Sequence, residues 1–262
     1  MIGTLLVSTL ALTLTLMFAL WLLSLYLRDA SIVDMFWGPG FGIIAVASLL
    51  LTDGYEPRRL LLTTMAVVWG ARLGIYIFLR NSGHGEDFRY VEMRRSHGDR
   101  FWWVSLFTVF GLQAVLMWFI SLPLQLAQLA ELPDRLTWID GVGLLLWLIG
   151  LAFESIGDWQ MARFKSDPSN RGKVFDGGLW RYTRHPNYFG DAVVWWGHWL
   201  VAAATPIGRW TVLSPALMTF FLRRVSGVTL LESTMSKRPG YREYVQRTSP
   251  FLPRPPRGTG GA

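Results

Sequence analysis

Long apolar runs separated by short polar segments dominate the hydrophobic pattern of this chain. Seven runs of 18 to 27 residues occur, and a helix rising about 1.5 Å per residue needs that length to cross a bilayer core of about 30 Å. The pattern predicts an all-α integral membrane protein, a seven-transmembrane-helix bundle. Its spans are Leu5 to Leu27, Val33 to Leu51, Leu60 to Leu79, Val104 to Ala130, Trp138 to Gly157, Asn187 to Ala204 and Trp210 to Leu231.

The first run is predicted to be a membrane span and not a signal peptide. It is too long for a signal-peptide core, no small-residue cleavage site follows it, and Arg28 comes after the apolar stretch instead of before it. Residues 1–253 are therefore expected to form one membrane domain. The Pro and Gly content beyond Arg254 predicts a disordered tail over residues 254–262.

The cationic residues lie mostly on one side of the predicted topology. That side carries eighteen of them: Arg28, Arg80, Arg89, Arg94, Arg95, Arg100, Arg163, Lys165, Arg171, Lys173, Arg181, Arg184, Lys237, Arg238, Arg242, Arg247, Arg254 and Arg257. The other side carries four, Arg58, Arg59, Arg135 and Arg209. Cytoplasmic loops of membrane proteins carry an excess of Lys and Arg. The protein is therefore predicted to lie in a bacterial inner membrane with its N-terminus outside and its C-terminus in the cytoplasm.

Composition excludes several function classes. Hydrophobic residues make up 52% of the chain and the mean hydropathy is +0.31, which argues against a soluble fold. The absence of cysteine excludes disulfides and thiolate metal sites, and four scattered histidines indicate no metal centre. The net charge of +7 follows the topology, so no nucleic-acid partner is expected.

Two connecting segments combine charges with aromatic residues. The loop from Asn81 to Arg100 interleaves both charge signs with Phe88 and Tyr90. The segment from Lys237 predicts a short amphipathic helix that folds over the cytoplasmic mouth of the bundle.

A polar, basic and aromatic stretch from Gly177 to Asp191 stands between two apolar runs. Pro186 can open a helix, because its missing N–H would be unpaired at that position. Arg181, Arg184 and His185 precede the positive end of that helix and form a natural seat for a phosphate. The alternative is that the arginines only anchor the helix at the membrane surface.

Charged residues inside the apolar runs are the other candidates for function. Arg72 lies roughly 12 Å from the cytoplasmic end of its span, where a charge is costly unless paired or hydrated. Asp34 is an available counter-charge, and snorkelling of Arg72 is the alternative. Glu154 and Asp158 share one helix face, where arginines of the next loop, or the hydroxyl and amide groups of a cofactor, would compensate their repulsion.

No soluble nucleotide-binding motif is present. The chain lacks Gly-x-Gly-x-x-Gly after a strand, a P-loop and Gly-x-Ser-x-Gly. A cofactor would therefore be held by the helix bundle itself. The basic, aromatic and acidic lining suits an anionic nucleotide next to an apolar substrate.

Residues 138 to 253 resemble the C-terminal domain of the membrane steroid 5α-reductase family, in its bacterial branch. The resembling residues are Glu154 to Lys165, Gly177 to Tyr182, Asn187 to Asp191 and Tyr241 to Pro253, with weaker likeness around Asp34 and Arg72. The resemblance implies that NADPH lies inside a seven-helix bundle and that hydride goes to the β-carbon of an enone, such as a 3-oxo-Δ4 steroid. The product would be the 3-oxo-5α steroid.

The resemblance also implies site residues. Asp158, Lys165, Tyr182, Asn187 and Asp191 match cofactor-holding positions, and Glu154 stands where the family usually has Asn. The full predicted cofactor-binding set is Glu154, Asp158, Arg163, Lys165, Arg181, Tyr182, Arg184, His185, Asn187, Tyr188, Asp191 and Glu232. The arginines available for a 2′-phosphate favour NADPH over NADH. The protein is expected to act as a monomer among membrane lipids.

The predicted catalytic residues are Asp34, Arg72 and Tyr76. Mammalian members polarise the ketone with a Gln-Glu pair and a Tyr, whereas this chain has Val33-Asp34 and, by register, Trp69. Asp34 is the best candidate for the acid by position, with Arg72 holding it in place. Tyr76 and Tyr90 are next in line.

Two other function classes compete with reduction: a membrane methyltransferase, which remains the alternative, and a receptor or scaffold without enzymatic activity. Membrane methyltransferases of the isoprenylcysteine and phospholipid type share the Arg-His-Pro-x-Tyr-x-Gly motif and bind S-adenosylmethionine. They usually carry a Glu-Glu pair before the final Tyr-containing segment, where this chain has Glu232 followed by Ser233. A receptor or scaffold would have no use for such costly membrane-buried charges.

Overall fold

The computed structural model of the chain describes residues 1–225, 228, 232, 235 and 238–257. All regular elements among these residues are helical, which confirms the all-α prediction for this part of the chain. The α-helices are α1 (Ile2–Leu27), α2 (Ile32–Leu51), α3 (Glu56–Asn81), α4 (Phe88–His97), α5 (Phe101–Ser105), α6 (Leu112–Ile120), α7 (Leu122–Leu126), α8 (Trp138–Ser166), α9 (Pro186–Ala203), α10 (Leu213–Phe220) and α11 (Tyr241–Arg247).

Five helices are long and apolar enough to cross a membrane, counted over the described residues. They are Ile2–Leu27, Ile32–Leu51, Glu56–Asn81, Phe88–Ile120 and Trp138–Ser166. The fourth is a continuous helical run that contains α4, α5 and α6 with a 3-10 turn and a π-helical segment between them. Helix α9 matches the sixth predicted span in its bounds, but its polar residues and three tryptophans keep it out of this set. Part of the seventh predicted span (residues 226, 227 and 229–231) and the end of the predicted tail (258–262) lie outside the described residues.

The chain packs as two compact units. Unit 1 comprises Met1–Asp140 with His198–Ser214, and unit 2 comprises Gly141–Gly197 with Pro215–Ala262. The predicted catalytic residues belong to unit 1, and the whole predicted cofactor-binding set belongs to unit 2.

Helices α2 and α3 of unit 1 pack closely against each other at glycines. A Cβ atom built on Gly38 would lie 2.5 Å from the Gly70 carbonyl oxygen, and one built on Gly74 would lie 2.7 Å from the Pro39 ring. Only glycine allows backbones to approach this closely, as in other membrane helix pairs. The contact brings the start of α2 and the end of α3 to the same end of unit 1.

A buried ion pair closes the other end of unit 1. Arg58, in the first turn of α3, is 1% exposed and contacts both carboxylate oxygens of Asp140 at 2.8 and 3.1 Å. Its other N–H groups donate to the carbonyls of Pro133 and Arg135. Asp140 also accepts hydrogen bonds from the Thr137 backbone and hydroxyl. These bonds satisfy a charge pair that would otherwise be costly to bury.

The segment predicted as a loop from Asn81 to Arg100 is largely helical. It contains α4, which is N-capped by Asp87, and a 3-10 turn over Gly98–Arg100. The fourth span, predicted from Val104 to Ala130, therefore begins within this segment, at Phe88, and ends at Ile120. Pro123 stands in the first turn of α7, where its missing N–H and its ring prevent α6 from continuing. The predicted bounds Val104 to Ala130 were therefore wrong at both ends.

In unit 2, α8 and α9 also cross at glycines. A Cβ atom on Gly150 would lie 2.6 Å from the Val194 nitrogen, and one on Gly190 would lie 2.6 Å from the Gly150 oxygen and would also meet the Glu154 backbone. Farther along the same pair, a Cβ atom built on Gly157 would lie 3.2 Å from the Asn187 nitrogen. This crossing places the acidic residues of α8 beside the first turns of α9.

Candidate active site

The start of α2 and the first turn of α4 bring together three polar side chains of unit 1. Arg89 Nη2 lies 2.6 Å from Asp34 Oδ2, and the Tyr90 hydroxyl donates to Asp34 Oδ1 over 2.8 Å. Tyr90 is 5% exposed. We call Asp34, Arg89 and Tyr90 the Asp34 cluster. Both oxygens of Asp34 accept hydrogen bonds, so its carboxylate form fits this geometry.

Asp87 fixes Arg89 from the opposite side. Its Oδ1 accepts from the Arg89 backbone N–H over 3.0 Å and from Arg89 Nε over 2.9 Å. Burial raises the pKa of Asp87, but the hydrogen bonds and charge of Arg89 outweigh it and hold the pKa below its ordinary value. Arg89 is thus shared between two carboxylates, which restricts its rotation.

Arg72 and Tyr76, the other predicted catalytic residues, lie one turn apart on α3. The Arg72 guanidinium is 5.5 Å from the centre of the Tyr76 ring, and that of Arg80 is 5.7 Å from it. Both distances suit cation–π attraction. Arg89, which sequence analysis did not place in the site, provides an ion pair to Asp34. The expectation that Arg72 also holds Asp34 stays a prediction.

The predicted cofactor set of unit 2 includes a group of buried polar residues at the α8–α9 crossing. Glu154, Asp158 and Asp191 are all buried. Asn187 Nδ2 donates to Asp158 Oδ1 over 3.1 Å, and Asn187 Oδ1 accepts the Tyr188 N–H over 3.1 Å. Buried carboxylates favour ligand groups that donate hydrogen bonds, such as sugar hydroxyls and amides.

Arg184 and His185 share Glu232. Arg184 Nε and Nη2 lie 2.8 and 2.7 Å from Glu232 Oε1, and His185 Nε2 lies 3.3 Å from the same oxygen. Burial raises the pKa of Glu232, but the hydrogen bonds from His185 and Arg184 outweigh it and hold the pKa below its ordinary value. The positive charge of Arg184 is therefore balanced within the protein.

The C-terminal segment is fastened to the stretch that precedes α9. Arg184 Nη1 donates to the Thr248 carbonyl over 2.6 Å and to that of Val245 over 3.2 Å. The Arg184 N–H donates to the Ser249 carbonyl, and the Tyr244 hydroxyl to that of Trp180. The predicted amphipathic helix exists as α11, and Arg184 is its main anchor.

The remaining members of the predicted cofactor set are more accessible. Arg163, Lys165, Arg181 and Tyr182 are exposed. The Arg163 guanidinium lies 5.6 Å from the Trp159 ring centre. The Tyr188 ring stacks on the His185 ring, with the ring centres 5.6 Å apart. All of these residues lie in unit 2. The predicted phosphate seat is thus divided, because Arg181 is open to solvent whereas Arg184 is buried against Glu232.

Comparison with known proteins assigns the chain to a family. A family model described as Protein of unknown function (DUF1295) matches residues 20–248. The chain belongs to the DUF1295 family. DUF1295 proteins are membrane-associated and related to steroid 5α-reductases, which confirms the resemblance at the level of the family.

Individual relatives of this DUF1295 chain add little about function. The Uncharacterized protein C594.04c of Schizosaccharomyces pombe is 27% identical over 267 residues, which cover 90% of this chain and 76% of that protein. The Probable O-methyltransferase ustE of Ustilaginoidea virens is 39% identical over 46 residues, covering 18% and 16% of the two chains. No solved structure matches.

Proposed function

We propose that this DUF1295 protein is an NADPH-dependent reductase that saturates the C=C bond of a membrane-soluble enone. The best candidate substrate is a 3-oxo-Δ4 steroid, reduced to the 3-oxo-5α steroid. The Asp34 cluster carries the proposal: a buried tyrosine hydroxyl held by a carboxylate that is itself held by an arginine. The family relation to steroid 5α-reductases supports the same reaction class.

The chemistry of enone reduction requires such a donor. Bound NADPH supplies the hydride that goes to the β-carbon, and negative charge then develops on the ketone oxygen. A hydroxyl aimed at that oxygen stabilises the enolate until the α-carbon takes a proton. Methyl transfer to an oxygen or sulfur nucleophile produces no such oxyanion on the acceptor. A positioned acid therefore favours reduction over methyl transfer.

Within the cluster, Tyr90 is the better proton donor and Asp34 the group that orients it. Asp34 accepts from both Tyr90 and Arg89, so its oxygens are engaged as acceptors. The Tyr90 hydroxyl carries one hydrogen, which it donates to Asp34 Oδ1 in this structure. To act as the acid, it would turn that hydrogen from Asp34 to the ketone oxygen when the substrate binds. This assignment revises the sequence-based choice of Asp34 as the acid and keeps Asp34 in the site.

The donor set of unit 2 fits a nicotinamide dinucleotide in its sugar and amide parts. Glu154, Asp158 and Asp191 would accept from ribose hydroxyls or the carboxamide, together with Asn187. The exposed cations Arg163, Lys165 and Arg181 would face phosphates. Arg184 would act through the fold, because its N–H groups are already directed to Glu232 and to backbone carbonyls.

The membrane arrangement proposed with this function has seven spans, the N-terminus outside and the C-terminus in the cytoplasm. The one-sided distribution of Lys and Arg supports it. In a bacterial inner membrane the cofactor site would face the cytoplasm, where NADPH is available. The protein would act as a monomer on a lipophilic substrate, without a nucleic-acid partner.

Single-turnover oxidation of NADPH by purified protein with progesterone, a 3-oxo-Δ4 steroid, tests the proposal. Tyr90→Phe should slow hydride transfer about 10²- to 10³-fold, as expected for loss of one oxyanion donor, with unchanged NADPH affinity. Asp34→Asn should have a smaller effect because it retains an acceptor for the tyrosine. Tyr26→Phe is the matched control, since Tyr26 is 85% exposed.

Three outcomes separate the alternatives. Loss of rate in Tyr90→Phe alone, with the saturated ketone as product, supports the proposal. A full rate in that variant moves the donor elsewhere, and Tyr76 is then the next residue to replace. A wild-type protein that transfers methyl groups from S-adenosylmethionine and reduces no enone would be a methyltransferase.

A further inference from the structure

Glu86 joins two backbone segments that carry the Asp34 cluster. Its Oε1 accepts from the Ala30 backbone N–H over 2.8 Å and from Arg94 Nη2 over 2.9 Å, and its Oε2 accepts from Arg94 Nε over 3.0 Å. The Glu86 side chain is 10% exposed. We call this arrangement the Glu86 clasp.

The two residues that Glu86 binds, Ala30 and Arg94, lie close in sequence to Asp34 and Tyr90, the residues of the proposed reaction. Ala30 lies in the turn between α1 and α2, four residues before Asp34. Arg94 lies four residues after Tyr90 on α4, so the two occupy neighbouring positions on one helix face. The Arg94 guanidinium also lies 4.5 Å from the Phe101 ring centre, which fixes its other side. The clasp therefore connects α4 to the start of α2.

We propose that Glu86 is a positioning residue for this site, which holds Tyr90 and Asp34 in register by fastening α4 to the α1–α2 turn. The proposal rests on the proposed function, because it assigns Glu86 a role through Tyr90. The Tyr90–Asp34 contact is 2.8 Å, and hydrogen bonds weaken steeply when the atoms separate or lose alignment. A displacement of about 1 Å at a catalytic group can cost on the order of 10²-fold in rate.

The two variants that test the clasp differ only in position. Glu86→Gln keeps an oxygen for the Ala30 N–H but removes the charge that Arg94 binds. Glu92→Gln removes the same kind of charge from an exposed residue of α4, the helix that Glu86 fastens through Arg94, and serves as the control. Each is made alone and together with Tyr90→Phe, so that the dependence on Tyr90 is measured directly.

The expected result is a loss that depends on Tyr90. Glu86→Gln should slow single-turnover hydride transfer about tenfold with unchanged NADPH affinity, and should cause no further loss in the Tyr90→Phe background. Glu92→Gln should match wild type. An equal loss in both backgrounds would make Glu86 merely structural, and no loss in an active protein would refute the proposal.

Hydrogen exchange of the α4 amides separates failure of this proposal from failure of the proposed function. Exchange over residues 88–97 should rise in Glu86→Gln relative to Glu92→Gln, whether or not the protein reduces an enone. Unchanged exchange would refute the clasp. Increased exchange in a protein that reduces no enone would uphold the clasp and refute the reductase proposal.

Discussion

Replacement of Arg184 by alanine decides between two roles for this residue. The sequence predicts Arg184 in a phosphate seat, whereas the structure places it 7% exposed, with Nε and Nη2 on Glu232 and Nη1 on the Val245 and Thr248 carbonyls. Arg184→Ala removes all of these bonds at once. It takes two N–H donors from the Glu232 carboxylate and keeps the contact of His185 Nε2 with Glu232 Oε1.

The structure sets the size of the expected effect. Removal of one partner from a buried ion pair costs about 3 to 5 kcal/mol. Glu232 is 27% exposed and can be partly rehydrated, so the lower end, about 3 kcal/mol, applies here. For a protein of this size about 1 kcal/mol changes the melting temperature by about 2 to 4 °C, which predicts a decrease of about 6 to 12 °C.

Thermal unfolding in detergent measures this decrease, and limited proteolysis reports release of the C-terminal segment. Arg171→Ala is the control, because Arg171 is an exposed arginine of the same unit. Both readouts should change in Arg184→Ala and neither in Arg171→Ala. A wild-type melting temperature with NADPH binding weakened tenfold or more would refute the anchoring argument and restore the phosphate seat.

Two further predictions concern charged groups outside the Asp34 cluster. The pKa of Glu232 is lower in the folded protein than its ordinary value of 4.5, so its carboxylate stabilises the fold fully above that pH and loses this contribution as the pH falls. The melting temperature of Glu232→Gln should therefore lie below that of wild type at pH 7 and converge with it in acid; a constant difference would contradict the linkage. Arg58→Ala should cost about 3 to 5 kcal/mol in thermal unfolding, whereas the paired change Arg58→Met with Asp140→Leu should restore most of that stability.

The positions of the long helices were predictable, because hydrophobic length alone determines which segments suit a membrane core. The predicted first three spans coincide with α1, α2 and α3 to within a few residues. The end of the fourth span was not predictable, because the apolar run continues through Leu122 and Leu124 although Pro123 interrupts the helix. Helix α4 was not predicted, because its charged residues are typical of a solvated loop, although Asp87 is a good N-cap.

Sequence reasoning could name residues of the candidate site, but it could not name the partners with which they pair. The polar members of unit 2 stand out in sequence because polar groups are rare beside apolar spans. The partner of Asp34 comes from Arg89, 55 residues away, and that of Arg184 from Glu232, 48 residues away. Such pairs depend on how helices pack, which periodicity does not describe. The one local signal was the Asp87 cap, since it places Arg89 and Tyr90 on the first turn of α4.

The glycine contacts between α8 and α9 have a consequence for how this protein can diverge. The helix separation is determined by backbone touching backbone at Gly150 and Gly190, next to Glu154 and Asp191. Side chains on the outer faces of both helices contribute nothing to that distance, so many apolar replacements can accumulate there while the acidic groups stay in place. A single methyl group added at Gly190 would push the helices apart. Mutational tolerance along this helix pair should therefore be broad on its outer faces and almost nil at two positions.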